Sequence, residues 1–338
     1  MAKDKKNQTK KKRVWRKTVI IVCGFLAVSI IIGLLFIHAK MSKIKKYIPE
    51  ATIAPQYETF ETDDQEPGAD LEVVDPADIT WPADTVKFFN PDIINVLLIG
   101  QDRRSGQSNQ RSDSMIIFSY NKADKTIKLI SLMRDMYVQI PGYSDNRINA
   151  AFQFGGMELL DKTIEKDFGV SVNGNIEVDF EGFISIVDEI GGIDIKISDY
   201  DANHLNKKHG WNLVEGMNHL DGKKALAYAR IRYVGNADYE RTDRQRRVLE
   251  IIINEIMSLS LPEQLKMFDT ILPYMTTDMS KQEILGCCYF VLQSGIDGVE
   301  RYRIPADGAY YSASIRGMSV LVPDLQKNQE LLMQYIME

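Results

Sequence analysis

The chain has 338 residues, 44% hydrophobic and 26% charged, with 41 Lys+Arg against 47 Asp+Glu and a net charge of −6. Setting aside the nine bases and one acid of the first 17 residues leaves 32 bases against 46 acids, so the remainder carries −14. That balance excludes a nucleic-acid surface and makes any gathering of arginines a local anion site, while three cysteines exclude a disulfide framework or a thiolate metal site.

Residues 1–17 form a basic tail, and 18–37 are wholly uncharged, about the twenty residues that a helix needs to span a bilayer. The larger basic cluster precedes this run, so the tail is expected in the cytoplasm and the rest outside the cell membrane, behind a single-pass anchor. A cleaved signal peptide is the competing reading, but it has a shorter apolar core, and only Ala39 serves an A-x-A-like site. Cys23 lies inside the apolar run. Residues 38–90 carry many acids and several prolines with little periodicity, which predicts an extended linker. Residues 91–338 suffice for one large domain with a substantial core.

Within that domain strands are expected at 94–100, 114–120 and 126–132, the last two a hairpin across 121–125. The first delivers Asp102, Arg103 and Arg104 into a loop that ends at Arg111, Ser112 and Asp113, and the third delivers Arg134. Ligand sites of open α/β sheets sit at strand carboxyl ends, where loops are free of packing duty while the sheet fixes their roots. The guanidinium fork donates two hydrogen bonds at once to phosphate, and aspartate suits a hard divalent ion that bridges to phosphate. The pairing points to a diphosphate with Mg²⁺; a surface salt-bridge network is the plain alternative.

Residues 147–154 read as helical, and 156–168 as an amphipathic helix stopped by Gly169. A short strand at 175–178, a helix at 180–190 and a strand at 193–197 follow. The alternation predicts an α/β domain, a mixed central sheet covered by helices on both faces. Residues 200–218 read as polar loop, and His204, His209 and His219 as surface side chains without metal-ligand spacing.

A second arginine group lies in 221–247. Asp221 caps a helix through Ala229, and an extended Arg230-Ile231-Arg232 would put both guanidinium groups on one face. Thr242-Asp243-Arg244-Gln245 fits a capping box ahead of Val248, Leu249, Ile252, Ile253 and Ile256. That places Arg241, Arg244 and Gln245 around a helix amino terminus that favours an anion, with Arg246 and Arg247 on the surface. Further on, Pro262 starts a helix, Ser280 to Glu283 caps another, Asp324 caps the last, and Cys287 and Cys288 read as small buried hydrophobes.

Several separated motifs in order carry a family resemblance. They are Leu98-Ile99-Gly100-Gln101-Asp102-Arg103-Arg104, Arg111-Ser112-Asp113, 131–135 with Tyr137 and Val138, Ile148-Asn149-Ala150-Ala151 with Gly155-Gly156, 225–232, and 241–245. Together they resemble the LytR-CpsA-Psr family over about 91–256. One departure is Met133, where the family has proline ahead of Arg134-Asp135, which removes a fixed φ. The resemblance implies a membrane-anchored phosphotransferase that moves a glycopolymer from a polyprenyl-pyrophosphate carrier onto peptidoglycan and releases polyprenyl phosphate. By motif position Asp102 and Asp113 match metal-associated acids, for Mg²⁺ or Mn²⁺. Arg104, Arg111, Arg134, Arg230, Arg232 and Gln245 match pyrophosphate contacts, with Arg241 and Arg244 beside them. Asp102, Arg111, Arg134 and Arg232 are the catalytic candidates, Asp102 as first choice of base and Asp135 as a structural partner of an arginine. The lipid tail is expected in an apolar cavity, with 148–168 and 180–190 as candidate walls. A sensor or attenuator that binds lipid-linked precursors and a polyprenyl-pyrophosphate hydrolase are the alternatives.

Overall fold

The computed structural model describes residues 39–49, 51–58, 71–101, 112, 114–231, 237–294 and 298–337. The chain divides into units 1–44 and 45–338; all that follows concerns the second. No helix among the described residues is long and apolar enough to cross a membrane, and the expected anchor at 18–37 lies outside them.

In chain order the strands and helices are β1 (Lys45–Lys46), β2 (Ile93–Gln101), β3 (Ser114–Asn121), β4 (Thr126–Leu132), β5 (Tyr137–Val138), β6 (Asn146–Arg147), α1 (Ile148–Phe168), β7 (Gly174–Asp179), α2 (Phe180–Glu189) and β8 (Ile193–Ile197). They continue with α3 (Asp199–His209), β9 (Gly216–Leu220), α4 (Gly222–Ala229), α5 (Ala237–Ser258), α6 (Leu261–Ile271), β10 (Met275–Thr277) and α7 (Lys281–Ser294). The chain closes with β11 (Gly298–Ile304), β12 (Tyr310–Ile315), β13 (Met318–Pro323) and α8 (Leu325–Met337).

Among the described residues the main sheet has the order β1-β10-β7-β2-β3-β4-β11. β2 and β3 pair antiparallel, as do β3 and β4, whereas β7 runs parallel to β2 and β11 parallel to β4. The carboxyl ends of β2, β4, β7 and β11 and the start of β3 therefore share one edge. Gly100 lies opposite Ser114, Gln101 opposite Asp179 and Leu132 opposite Ile304.

The period-two pattern divides the strands between two faces. Leu97, Ile99, Ile117, Ile130 and Leu132 pack with Phe154, Leu160, Ile164, Leu332 and Ile336 of α1 and α8. Leu98, Ile116, Ile127 and Leu129 face Leu249 and Ile253 of α5. Helices thus cover both faces, as the alternation predicts. Helix α1 is broken at Gly155 and Gly156; the second has φ +64°, a left-handed conformation that glycine adopts without a Cβ penalty.

Three segments depart from expectation. Residues 200–218 hold α3 and β9 in place of a loop: Ser198 caps α3 by accepting from the Asp201 N–H, Gly210 ends it at φ +71°, and β9 pairs with β8 apart from the main sheet. Helix α5 starts at Ala237, so Thr242 is no cap; its hydroxyl donates to the Tyr239 carbonyl at 2.9 Å within the helix. The described parts of 45–90 run along the domain: the N–H groups of Tyr47, Ile53, Val74 and Phe88 donate to the carbonyls of Thr277, Phe154, Ser314 and Gly169. Trp81 adds a 2.7 Å bond from its indole N–H to Asp145 Oδ2. The capping expectations at Asp221, Ser280–Glu283 and Asp324 match the bonds found there.

Candidate functional site

A cavity of about 750 Å³ lies between the second face of the sheet and α2–α5. Leu98, Ile116, Ile176 and Val178 line it from the sheet, Phe183, Ile184 and Ile186 from α2, and Val248, Leu249 and Ile252 from α5. These side chains follow from the alternation of β2, β3 and β7 and from an apolar stripe on α5 at helical spacing. Helix α2 thus walls the cavity as expected. Helix α1 does not, because its apolar stripe is used against the opposite face of the sheet.

Polar groups meet the cavity at the shared sheet edge: Ser114, Asp179, Arg230, Arg241 and Gln245. Asp179 ends β7 and caps α2, its Oδ1 accepting from the Gly182 N–H at 2.8 Å. The Arg230 guanidinium lies 4.3 Å from the ring centroid of Phe180, the next residue. Arg230 itself is the C-cap of α4, with φ −101° and ψ 1°, so the expected extended triplet does not form at its first residue. A cation there complements the helix dipole. Ile231 is 3% exposed and points into the core as expected. Gln245 Oε1 accepts from the Ser114 hydroxyl at 3.0 Å, tying α5 to the first residue of β3. Arg241 is 2% exposed and stands one helical turn before Gln245 on the same stripe.

Arg134 leaves the same edge after β4. Its Nε lies 3.5 Å from Asp135 Oδ2, while Asp135 Oδ1 lies 3.5 Å from Arg147 Nε, so Asp135 sits between two arginines in the structural role expected of it. Met133, the departure from the proline of the resembled family, is fully buried, and its N–H donates to the Ile304 carbonyl at 2.9 Å. A proline cannot make that bond. The lost φ restraint is offset by a tie to β11 next to Arg134.

Arg244 departs from the sequence expectation. It turns from the cavity to a buried pair with Asp201 of α3 at 2.8 Å and bonds Glu240 at 2.9 Å, so its charge is spent on joining α5 to α3. Arg246 departs too, at 6% exposure where a surface side chain was expected. Asp102, Arg103, Arg104, Arg111, Asp113 and Arg232 lie outside the described residues. The described residues Gln101, Ser114 and Ile231, which flank them in sequence, are at this edge or beside the cavity. Among the described residues no group of three or more His, Cys, Asp or Glu side chains is placed to hold a metal ion.

The sequence missed other contributors. His204, Lys208 and His209 of α3 line the cavity, and burial, reinforced by the Lys208 charge, holds His204 below its ordinary pKa. His219 stays on the surface, beside Asp194 at 2.8 Å. Asp179 and Phe180 were discoverable, since an Asp-x-x-Gly cap directly after a strand marks a carboxyl end at the ligand edge.

The sequence model of the LytR_cpsA_psr family matches residues 59–335. Over 167 residues the chain is 35% identical to Regulatory protein MsrR of Staphylococcus aureus, a match that covers 49% of this chain and 50% of MsrR. Over 201 residues it is 35% identical to the polyisoprenyl-teichoic acid--peptidoglycan teichoic acid transferase TagU of Enterococcus faecalis, covering 58% of this chain and 64% of TagU. The chain thus spans about half to under two thirds of the length of these relatives. Its fold is similar to TagT bound to LI-WTA, with a TM-score of 0.62 and 28% identity over 74% of this chain and 92% of that one. It is also similar to YwtF (TagT) with bound octaprenyl pyrophosphate lipid, with a TM-score of 0.58 and 27% identity over 74% and 94%.

Proposed function

The chain belongs to the LytR_cpsA_psr family, and from that premise we propose that it is a membrane-anchored phosphotransferase. It moves a glycopolymer from a polyprenyl-pyrophosphate carrier onto peptidoglycan outside the cell membrane and releases polyprenyl phosphate. The observation that carries this reading is the pairing of a deep apolar cavity with arginines and a glutamine at its sheet edge, the two halves of a lipid diphosphate. Octaprenyl pyrophosphate bound to the similar TagT fold supports it.

In this reading the prenyl chain fills the space over Leu98, Ile116 and Ile176, and the diphosphate meets Arg230, Arg241 and Gln245, joined by Arg104, Arg111, Arg134 and Arg232. Asp102 and Asp113 would hold Mg²⁺, which when bound supplies charge neutralisation on the phosphate oxygens. An acceptor hydroxyl forms a new O–P bond to the sugar-linked phosphorus, the bond to polyprenyl phosphate breaks, and the acceptor proton passes to a carboxylate, with Asp102 as first choice. The arginines stabilise charge that gathers on the departing phosphate.

The test gives the full-length chain a polyprenyl-pyrophosphate saccharide, Mg²⁺ and a peptidoglycan oligomer, and follows polyprenyl phosphate together with saccharide-phosphate on the acceptor. Both products are expected. Polyprenyl phosphate without the adduct makes the protein a hydrolase, and tight binding with neither product makes it a sensor, a reading that the name of MsrR favours.

A further inference from the structure

Helix α5 presents more than one working face. Residues 241, 245, 248 and 252 look into the cavity, whereas 239, 242, 246 and 253 lie on a neighbouring stripe about 100° away, with Leu249 between the two and touching both the cavity and the sheet. Leu249 and Ile253 of that second stripe pack on Ile116, Ile127 and Leu129 of β3 and β4. Arg246 stands one turn earlier on the stripe and is 6% exposed. The strand register puts Ser131 of β4 between Ile116 of β3 and Arg303 of β11 on this same face.

The hydrogen-bond inventory here is unbalanced toward donors. Among the described residues Arg246 reaches a single carboxylate, Asp243 Oδ1, from Nη2 at 3.4 Å, and its buried Nε and Nη1 have no acceptor. The buried Ser131 hydroxyl also has none among the described residues. Arg303 lies 4.3 Å from the ring centroid of Tyr239 and holds Asp307 and the Pro305 carbonyl, while Arg301 holds Glu250 at 3.1 Å. Asp243 is shared with Arg247 at 3.2 Å, so among the described residues three carboxylates serve these four guanidinium groups. Burial pulls Arg246 down to about 10, Asp243 opposes, and the charges of Arg303 and Arg301 push it further down. A buried guanidinium with donors unmet is costly in an apolar fold, and that cost is relieved by an acceptor that also carries negative charge.

We propose that Arg246, Arg303 and Ser131 form a binding site for a phosphate group, separate from the cavity edge at Arg230, Arg241 and Gln245. The donor set selects the chemistry: a guanidinium edge with unmet N–H groups, a second guanidinium and a hydroxyl that can turn its proton to the ligand match a tetrahedral oxyanion. The proposal rests on the strand register and the buried, unmet donors and does not depend on the transfer reaction. Because Arg246 adjoins Gln245 on one helix, an occupant would also brace the turn of α5 that faces the cavity.

Isothermal titration of the full-length chain with inorganic phosphate tests this, with ethyl phosphate as a second probe that distinguishes an esterified phosphate from the free ion. Saturable binding is expected in the unaltered chain and in Arg241→Met. Arg246→Met and Arg303→Met should weaken it by roughly tenfold to a hundredfold, as for loss of a hydrogen bond to a charged group. Arg246→Met should also melt at the same or a higher temperature without phosphate, and a given phosphate concentration should raise its Tm less than that of the unaltered chain. Ser131→Ala, which keeps every charge, carries the test should Arg246→Met not fold, and should weaken binding by a smaller factor. Absence of phosphate binding in the unaltered chain overturns the proposal. So does binding that Arg241→Met abolishes and Arg246→Met retains, which would give the ion to the cavity edge.

Discussion

Filling the cavity should shorten the lipid that the protein can use. Ala227 of α4 lines the cavity and is not part of the polar edge, so Ala227→Phe adds a phenyl ring to its wall, about the bulk of one isoprene unit. Transfer of an isoprene unit from water into an apolar cavity is worth roughly 3–4 kcal/mol at about 0.8 kcal/mol per buried CH₂, an upper bound equal to about 10²–10³-fold in affinity. The assay is affinity for a series of polyprenyl pyrophosphates of increasing length. In the unaltered chain each unit should tighten binding until the space is filled. In Ala227→Phe the gain should stop about one unit sooner, while the shortest lipids, which do not reach Ala227, bind equally. A length profile identical to that of the unaltered chain would refute placement of the prenyl chain in this cavity. Equal weakening at every length in a folded protein would show a general distortion and refute the reasoning equally.

Arg241→Met removes a buried charge from the cavity edge and should lower kcat by about 10²–10³ while changing affinity for the ground-state diphosphate less, measured by initial rates and direct titration. Asp201→Asn breaks the buried pair with Arg244, whose side chains are 5% and 6% exposed, and should cost about 3–5 kcal/mol in urea unfolding with KM unchanged. Burial pushes Asp167 from the ordinary 3.8 up to about 8, with Lys166 opposing. The folded state then holds a proton that the unfolded chain releases, so stability is fully present below pH 4 and is lost at up to about 1.4 kcal/mol per pH unit as pH rises toward 8. Asp167→Asn should remove that slope, and urea midpoints between pH 5 and 8 that fall equally in both proteins would contradict it.

The parts of the fold that were legible are those whose side chains alternate cleanly. Strands β2, β3, β4 and β7 bury one or both faces, and α2 has a strong apolar stripe ended by glycine, so period and punctuation coincide. Helix α3 was hidden because it buries only Asp201, Ala202 and Leu205, too little for a helical period to emerge. The Thr242–Gln245 string satisfies a capping pattern, yet α5 has already begun and Gln245 is committed to Ser114, 131 positions away. Arg244 could not be told from its neighbours for the same reason. Its partner Asp201 is 43 residues distant, and only the packing of α5 on α3 decides that this arginine is structural while Arg241 faces the cavity. The contacts of 45–90 were illegible because they are mostly backbone bonds, which leave no residue signature.

The position of the arginines on α5 explains why one helix can serve several duties without conflict. Successive residues project about 100° apart, so Arg241, Arg244 and Arg246, close in sequence, are delivered to three different surroundings: the cavity, α3, and the β4–β11 face. Each surrounding restrains rotation of the helix against the other two. A turn that brought Arg244 to the cavity would pull Gln245 from Ser114, break the pair with Asp201 and lift Leu249 and Ile253 from the sheet. The same logic holds at the edge of β4, where the Met133 N–H bond to Ile304 fixes the backbone that leads to Arg134, while Asp135 between Arg134 and Arg147 opposes its swing. Positive charge is therefore held on rigid elements from two sides of the cavity edge before any anion arrives. This is the arrangement that favours stabilisation of developing charge over adaptation to a bound ground state.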